Sequence, residues 1–160
     1  MALWTVYLSL GLLVTLNASV ETRPVEKNKD CNSCETGWSA YGCRCFKFYN
    51  EPTRWDFAEY DCLYKYKGNL ASVHSHEEYI FIKNLIRRTT HASTPAWIGL
   101  HKIYRWGHWY WTDGTKLNYQ IWSPGQPTYR QDEYCIEMNS VHGNWKEVKC
   151  DEKKPYVCVK

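Results

Sequence analysis

The amino-acid sequence predicts an α+β domain stapled by disulfide bonds. Two segments with a helical spacing of apolar residues are followed by several short strand-like runs that turn residues separate. The chain also carries 8 cysteines, at positions 31, 34, 43, 45, 62, 135, 150 and 158. An even number of cysteines behind a secretory signal is typical of a disulfide framework.

The N-terminal segment has the pattern of a secretory signal peptide. An apolar run over residues 3–16 leads into the small and polar residues 17–19. The run is too short to span a bilayer, which takes about 20 apolar residues, so we expect a signal peptide over residues 1–19. A buried core helix is the alternative, but a charged stretch follows directly. Residues 20–33 are polar and without periodicity, and we expect them to form a flexible N-terminal arm.

The composition argues against two classes of function. The net charge of +3 is small and the basic residues form no block, so we expect no nucleic-acid partner. No second long apolar run follows the signal, so we expect a secreted protein without membrane insertion. The chain has 9 tryptophans and 13 tyrosines, residue types that serve both cores and binding surfaces.

The first helix is predicted to begin after Thr53, with Asp56 placed as in a capping box. Gly68 is expected to end it. Apolar residues spaced by four would form its buried stripe, namely Ala58, Cys62 and Tyr66.

The second helix is predicted to begin at Ser75, whose hydroxyl can cap the first turn. Glu77 and Glu78 then lie beside the positive end of the helix dipole, where acidic side chains are favourable. Its core face would consist of Tyr79, Ile82, Leu85 and Ile86.

Short strands are predicted before, between and after these helices. Phe46 and Phe48 alternate with Lys47 as in a half-buried strand. The remaining strand-like runs cover residues 70–73, 96–100, 109–111, 135–138, 145–148 and 156–159.

Several spaced motifs carry a family resemblance. They are Cys34-x10-Cys45, Trp55 with Ala58, Glu59 and Cys62, Leu70-Ala71-Ser72-Val73, Trp97-Ile98-Gly99-Leu100, Trp111-Thr112-Asp113-Gly114-Thr115, and the closing Cys135, Cys150 and Cys158. Over residues 34–160 the chain resembles the C-type lectin-like domain. The resemblance implies two helices, two small antiparallel sheets and a long loop.

The resemblance also implies three disulfide pairs, Cys34–Cys45, Cys62–Cys158 and Cys135–Cys150. Cys31 and Cys43 are left over, and they can pair with each other or with a second chain. We favour an interchain link and a disulfide-linked homodimer, because Cys31 lies in the arm. The spacing of residues 31, 34, 43 and 45 also matches that of zinc ligands, but an oxidising compartment favours disulfides.

The resemblance places a candidate site in the long loop. Sugar-binding members use Gln-Pro-Asp for galactose, a Glu two residues before a cysteine, and a Trp-Asn-Asp triplet, which together bind Ca²⁺ and sugar. Here the first motif reads Gln126-Pro127-Thr128, with Pro127 a candidate cis proline. Glu133 stands two residues before Cys135, and the triplet reads Trp145-Lys146-Glu147.

These departures make calcium binding doubtful, so we expect no metal cofactor. Lys146 has no acceptor atom and cannot ligate Ca²⁺. We expect instead that its ammonium, held between Glu133 and Glu147, stands in for the cation. Sugar hydroxyls would then bind to Gln126, Thr128, Glu133 and Glu147 without a metal.

An aromatic ring is expected to stack on the apolar face of galactose. Tyr129 is the first candidate; Trp122 is the other, although core packing is favoured for it. The tryptophans that match core positions of the family are given no ligand role, namely Trp55, Trp97, Trp111 and Trp145.

The sequence therefore predicts a carbohydrate-binding protein of galactose or lactose type. It resembles small secreted fish lectins, notably the lactose-binding skin-mucus lectins of eels. That likeness implies agglutination of cells or microbes through their galactosides, in innate defence. Two alternatives share the scaffold: an ice-binding type II antifreeze protein and a protein-binding domain without sugar activity. We expect no enzyme, because the histidines are scattered and no nucleophile motif accompanies them.

Overall fold

The computed structural model describes residues 33–104, 107–140 and 143–160. The predicted signal peptide, nearly all of the predicted arm and Cys31 lie outside the described residues. The first half contains β1 (Ser39–Tyr41), β2 (Arg44–Thr53), α1 (Trp55–Tyr60), a π-helical turn (Asp61–Lys65), β3 (Asn69–Leu70) and α2 (His76–Thr90). The second half contains β4 (Ala96–His101), β5 (Tyr110–Trp111), β6 (Glu133–Met138), β7 (Lys146–Lys149) and β8 (Lys154–Val159).

The strands form one mixed sheet in the order β1-β2-β8-β4-β6-β7, with β3 added to β8 and β5 to β4. All pairings are antiparallel except that of β4 with β8, where Trp97 lies opposite Tyr156. The two antiparallel groups that the family resemblance implies are therefore joined into a single sheet by this parallel contact. Within the described ranges, no helix combines the length and apolar character needed to cross a bilayer.

The first helix begins differently from the prediction. Thr53 is the last residue of β2, and its carbonyl accepts a hydrogen bond from Trp97 Nε1 at 2.8 Å. Arg54 occupies the cap position without a side-chain cap, and its guanidinium binds the Asp56 carboxylate at 3.1 Å. The predicted cap at Thr53 is wrong because the strand continues through that residue.

The predicted stripe of this helix is confirmed in part. Ala58 and Cys62 are buried, whereas Tyr66 is half-buried and directly follows the π-helical turn that continues the helix. Gly68 follows, where the carbonyl of Val159 approaches so closely that a Cβ atom has no room. A glycine is therefore required at the junction between this helix and β3.

The second helix confirms its predicted start and core face. The Ser75 hydroxyl accepts a hydrogen bond from the Glu78 amide at 3.1 Å. The Glu78 carboxylate is itself buried and binds Arg44 at 2.6 Å. The predicted apolar residues Tyr79, Ile82, Leu85 and Ile86 are all buried.

The three disulfides that the resemblance implied are present. They join Cys34 to Cys45, Cys62 to Cys158 and Cys135 to Cys150. Cys34 and Cys45 are thus not available as zinc ligands. Cys43 is also disulfide-bonded.

Candidate functional site

The long loop between β5 and β6 carries the predicted site, and its base is fixed to Trp145. The Trp145 amide donates to the Ile121 carbonyl at 2.9 Å, and the Trp145 carbonyl accepts from the Ser123 amide at 2.8 Å. The tight turn that follows closes with a hydrogen bond from the Gln126 amide to the Ser123 carbonyl at 2.9 Å. The peptide bond from Gln126 to Pro127 is cis, as predicted.

Glu147 is the centre of a hydrogen-bond network that holds this loop. One carboxylate oxygen, Oε2, accepts from the Thr128 amide, from the Thr128 hydroxyl at 3.0 Å and from the Tyr129 amide at 2.9 Å. The Glu147 amide in turn donates to Gln126 Oε1 at 3.0 Å. Four of the predicted residues, Gln126, Thr128, Tyr129 and Glu147, are therefore brought together.

The cation of the site is Lys102, which the sequence reasoning missed. Its ammonium pairs with Glu147 Oε1, and both side chains have 0% exposure. Three aromatic rings surround the ammonium, with centroids 4.7 Å (Trp109), 5.1 Å (Tyr129) and 5.6 Å (Tyr134) from Nζ. Such rings attract a cation through their negative faces. Because Lys102 directly follows a buried strand in the sequence, no periodicity there distinguishes it from a surface lysine.

The predicted position of Lys146 between two carboxylates is wrong. In the pairing of β6 with β7, Lys146 lies opposite Glu137, whereas Glu147 lies opposite Ile136. Successive side chains of a strand project to opposite faces of the sheet. Lys146 and the Glu147 carboxylate are therefore on different faces. Glu133 lies at the start of β6, opposite Lys149, and takes no part in the Glu147 network.

Burial also changes the role of Glu147. A carboxylate with 0% exposure and both oxygens engaged does not face a ligand, so the direct sugar contact predicted for Glu147 is corrected to a supporting one. The loop residues it holds do reach the surface. Thr128 is exposed, Tyr129 is 36% exposed and Gln126 is half-buried.

The tryptophans divide as the sequence predicted. Trp97, Trp111 and Trp145 are at most 2% exposed, whereas Trp55 is half-buried, packs against the core and donates its indole N–H to the Ile98 carbonyl at 2.9 Å. Trp122 is half-buried, and its ring packs against Trp109 and Trp145 at centroid distances of 5.3 and 5.8 Å. Core packing, which was favoured for Trp122, is thus confirmed.

Calcium does not fit the residues present. Ca²⁺ takes six to eight oxygen ligands, but here the Glu147 oxygens accept hydrogen bonds from Lys102 and the loop. Lys102 supplies a positive charge where a cation would have to bind. Among the described residues, no group of three or more His, Cys, Asp or Glu side chains is placed to hold a metal ion.

A serine, a histidine and an aspartate also lie together, away from the loop tip. The Ser72 hydroxyl donates to Asp113 and lies 3.2 Å from His74 Nε2. A nucleophilic serine needs a histidine base that the carboxylate orients, whereas here the carboxylate binds the serine itself. Burial alone would raise the pKa of Asp113, but hydrogen bonds from Ser72 and Thr115 hold it below its usual value. Because Ser72 is fully buried, this cluster is structural.

A cavity of about 350 Å³ lies beside the start of β6. Its lining is mainly charged and includes Arg54, Asp132, Lys149 and Asp151. None of the predicted sugar contacts lines it. The candidate site is instead the exposed rim formed by Gln126, Thr128 and Tyr129.

Known proteins resemble this chain over most of its length. Residues 51–160 match the family model of the lectin C-type domain. The chain is 35% identical over 158 residues to the galactose-specific lectin nattectin of Thalassophryne nattereri, covering 98% of this chain and 95% of that protein. It is 36% identical over 133 residues to a type-2 ice-structuring protein of Osmerus mordax, covering 82% and 74% respectively. A solved calcium-independent type II antifreeze protein has a TM-score of 0.72, with 33% identity over 80% of this chain and 94% of that one.

The Glu147→Gln substitution tests the buried pair. Glutamine keeps the size of the side chain but leaves the Lys102 charge unpaired in a dry environment. We expect the free energy of unfolding to fall by about 3–5 kcal/mol, measured by urea titration followed through tryptophan fluorescence. Glu133→Gln is the control and should change it by no more than about 0.5 kcal/mol. Equal effects of the two substitutions would contradict the assignment.

Proposed function

The chain belongs to the lectin C-type domain family, and from that premise we propose that it is a secreted lectin that binds galactosides without calcium. The family is one of binding domains, so the chain is not an enzyme. The observation that carries the proposal is the exposed rim of Gln126, Thr128 and Tyr129, which a buried ammonium–carboxylate pair holds in place. A relative that is similar over nearly its whole length is described as galactose-specific, which supports the sugar class.

Gln126 is suited to recognising sugar hydroxyls. Its Oε1 atom accepts from the Glu147 amide, which orients the side-chain amide. The NH₂ group at the other end supplies two hydrogen-bond donors. The Thr128 hydroxyl, two residues further along the chain, donates its proton to Glu147 Oε2 at 3.0 Å and can accept a hydrogen bond from a sugar hydroxyl through its oxygen. Together these groups offer both kinds of partner that a pair of adjacent hydroxyls needs.

Tyr129 is suited to stacking on the apolar face of galactose. The Lys102 ammonium lies over its ring at 5.1 Å from the centroid, and the side chain keeps 36% exposure. The backbone of Tyr129 has a φ of +54° and donates to Glu147 at 2.9 Å. The Tyr129 ring is thus held at the rim by the hydrogen bond of its backbone amide to Glu147 and by the contact of its face with the Lys102 ammonium. A side chain that is already ordered loses less conformational entropy when a sugar binds.

Calcium independence is part of the proposal. Ligand binding that uses hydrogen bonds and ring stacking needs no metal bridge between protein and sugar. The Lys102 charge and the engaged oxygens of Glu147 support this reading. The likeness to a calcium-independent type II antifreeze protein is compatible with it.

The primary test is agglutination of red cells and bacteria by the purified protein. We expect lactose to inhibit agglutination, mannose to be ineffective, and EDTA to leave both results unchanged, because no step involves Ca²⁺. Isothermal titration with lactose in EDTA and in calcium should give dissociation constants within about twofold of each other. Loss of binding in EDTA would refute calcium independence, and absence of any sugar binding would refute the lectin.

The Tyr129→Ala variant tests the stacking ring. We expect about a tenfold loss of lactose affinity, equivalent to about 1.4 kcal/mol, because the apolar face of the sugar loses its partner. Titration calorimetry provides the measurement. Tyr64→Ala is the matched control, since Tyr64 is a 60% exposed tyrosine of the π-helical turn. A control that loses as much affinity as Tyr129→Ala would contradict the site.

The proposal extends to a disulfide-linked homodimer at mucosal surfaces. Cys31 belongs to the predicted arm, where a second chain can reach it. Two sites on one covalent particle make the second contact intramolecular, which can raise avidity by about 10²–10⁴. That gain would suit cross-linking of microbes in innate defence.

Non-reducing electrophoresis tests the dimer. We expect a band of twice the monomer mass that dithiothreitol converts to the monomer, and a Cys31→Ser variant that stays monomeric. Mass spectrometry of non-reduced peptides identifies the partner of Cys43. A peptide pair that joins Cys31 to Cys43 in a monomer would contradict the interchain link and establish a fourth intrachain bridge.

Ice binding is the second candidate, because the chain is 36% identical to a type-2 ice-structuring protein. Against it, the loop tip carries Tyr129 and Arg130 at its exposed surface. Such side chains do not form the flat, regular surface that ice requires. Thermal hysteresis of the purified protein would favour ice binding. Binding to another protein without any agglutination would instead favour the protein-binding domain without sugar activity.

A further inference from the structure

We propose that Lys102 is a built-in cation that holds the ligand-binding loop in place of a bound metal ion. The consequence for sugar affinity rests on the proposed function, but the ordering of the loop does not. Lys102 is thus assigned as a positioning residue, which acts on the ligand through Glu147, Thr128 and Tyr129.

The charges of the pair are mutually dependent. Lys102 and Glu147 both have 0% side-chain exposure, so neither can draw on water for solvation. An unpaired charge in such a place is strongly unfavourable. The aromatic rings of Trp109, Tyr129 and Tyr134 add the attraction of their faces for the ammonium.

The two carboxylate oxygens of Glu147 bind different partners, one the cation and the other the loop. Oε1 meets the Lys102 ammonium, while Oε2 accepts the amides of Thr128 and Tyr129. A cation that pairs with a carboxylate away from water strongly stabilises it, and removing that cation leaves an uncompensated buried charge. The hydrogen bonds from the Thr128 and Tyr129 amides to Glu147 therefore depend on the charge of Lys102, although Lys102 makes no hydrogen bond to these amides.

Lys102 is itself fixed by the sheet rather than by the loop. Its amide donates to the Tyr134 carbonyl at 3.0 Å, and it directly follows β4. The ammonium is thus presented from a rigid element, as a metal ion would be held by its ligands. Unlike a metal ion, it cannot be removed by a chelator or by dilution.

The decisive experiment follows amide hydrogen exchange at Thr128 and Tyr129, by NMR or by mass spectrometry of the loop peptide. In the native protein we expect slow exchange that EDTA and calcium leave unchanged. In Lys102→Met we expect exchange of these two amides to accelerate at least tenfold, and lactose affinity to fall by about tenfold or more.

Lys154→Met is the matched control. Lys154 pairs at 2.7 Å with Glu137, which is 5% exposed, so it also neutralises a nearly buried carboxylate. This variant should lose stability but keep the slow exchange of the loop amides and the native affinity for lactose. If it accelerates those amides as much as Lys102→Met does, the effect is general loosening and the proposal is overturned.

A rescue experiment separates charge from packing. Lys102→Ala leaves a space for a short alkylammonium ion, so propylammonium chloride should restore slow exchange, whereas sodium chloride at equal ionic strength should not. Where the variants fail to fold, ¹⁵N-lysine NMR of the native protein is used. A protected Lys102 ammonium that ignores EDTA and calcium supports the proposal, and one displaced by calcium overturns it.

The outcomes for the two proposals are distinct. Normal loop protection without any sugar binding in the native protein leaves Lys102 as the internal cation but refutes the lectin. Lactose binding that survives Lys102→Met with unchanged loop exchange refutes the role of Lys102 but leaves the lectin intact.

Discussion

Lys102 and Glu147 lie wholly out of water and neutralise each other, and the geometry of the long loop depends on that pair. The ammonium comes from the end of β4 and the carboxylate from β7, so the contact also fixes these two strands relative to each other. The loop then closes onto the second carboxylate oxygen through the amides of Thr128 and Tyr129. Breaking a buried pair is costly because a lone charge remains, so sheet and loop share one stabilising interaction.

The sheet supplies the rigid frame on which this pair rests. Trp97 sits at the parallel junction of β4 with β8 and donates its indole N–H to Thr53 at the end of β2. The Cys62–Cys158 disulfide ties β8 to the first helical segment across 96 residues of sequence. Sheet pairing and this disulfide therefore hold the strands and the first helical segment together. The long loop is held separately, by its hydrogen bonds to Glu147.

The sequence predicted features that depend on near neighbours or on family motifs. The Ser75 cap and the core face of α2 follow from local chemistry, and the disulfide pairs follow from the resemblance. It did not predict Lys102, because that lysine is placed by contacts 45 residues away. Lys146 was misassigned because strand alternation turns adjacent side chains to opposite faces. Thr53 was misassigned because its pairing with Lys154 of β8 extends β2 over a local cap signal.

The position of β8 in the sheet has a consequence for how the chain is made. This strand pairs with β2, β3 and β4, so the middle of the sheet stays open until residues 154–159 have been synthesised. During synthesis, about one hundred residues follow β2 before its neighbour β8 is made, so the edge of β2 that pairs with β8 has no native partner until then. Such edges are templates for unwanted pairing, and non-local pairing is slow. The nascent chain is therefore open to unwanted strand pairing until β8 has been made.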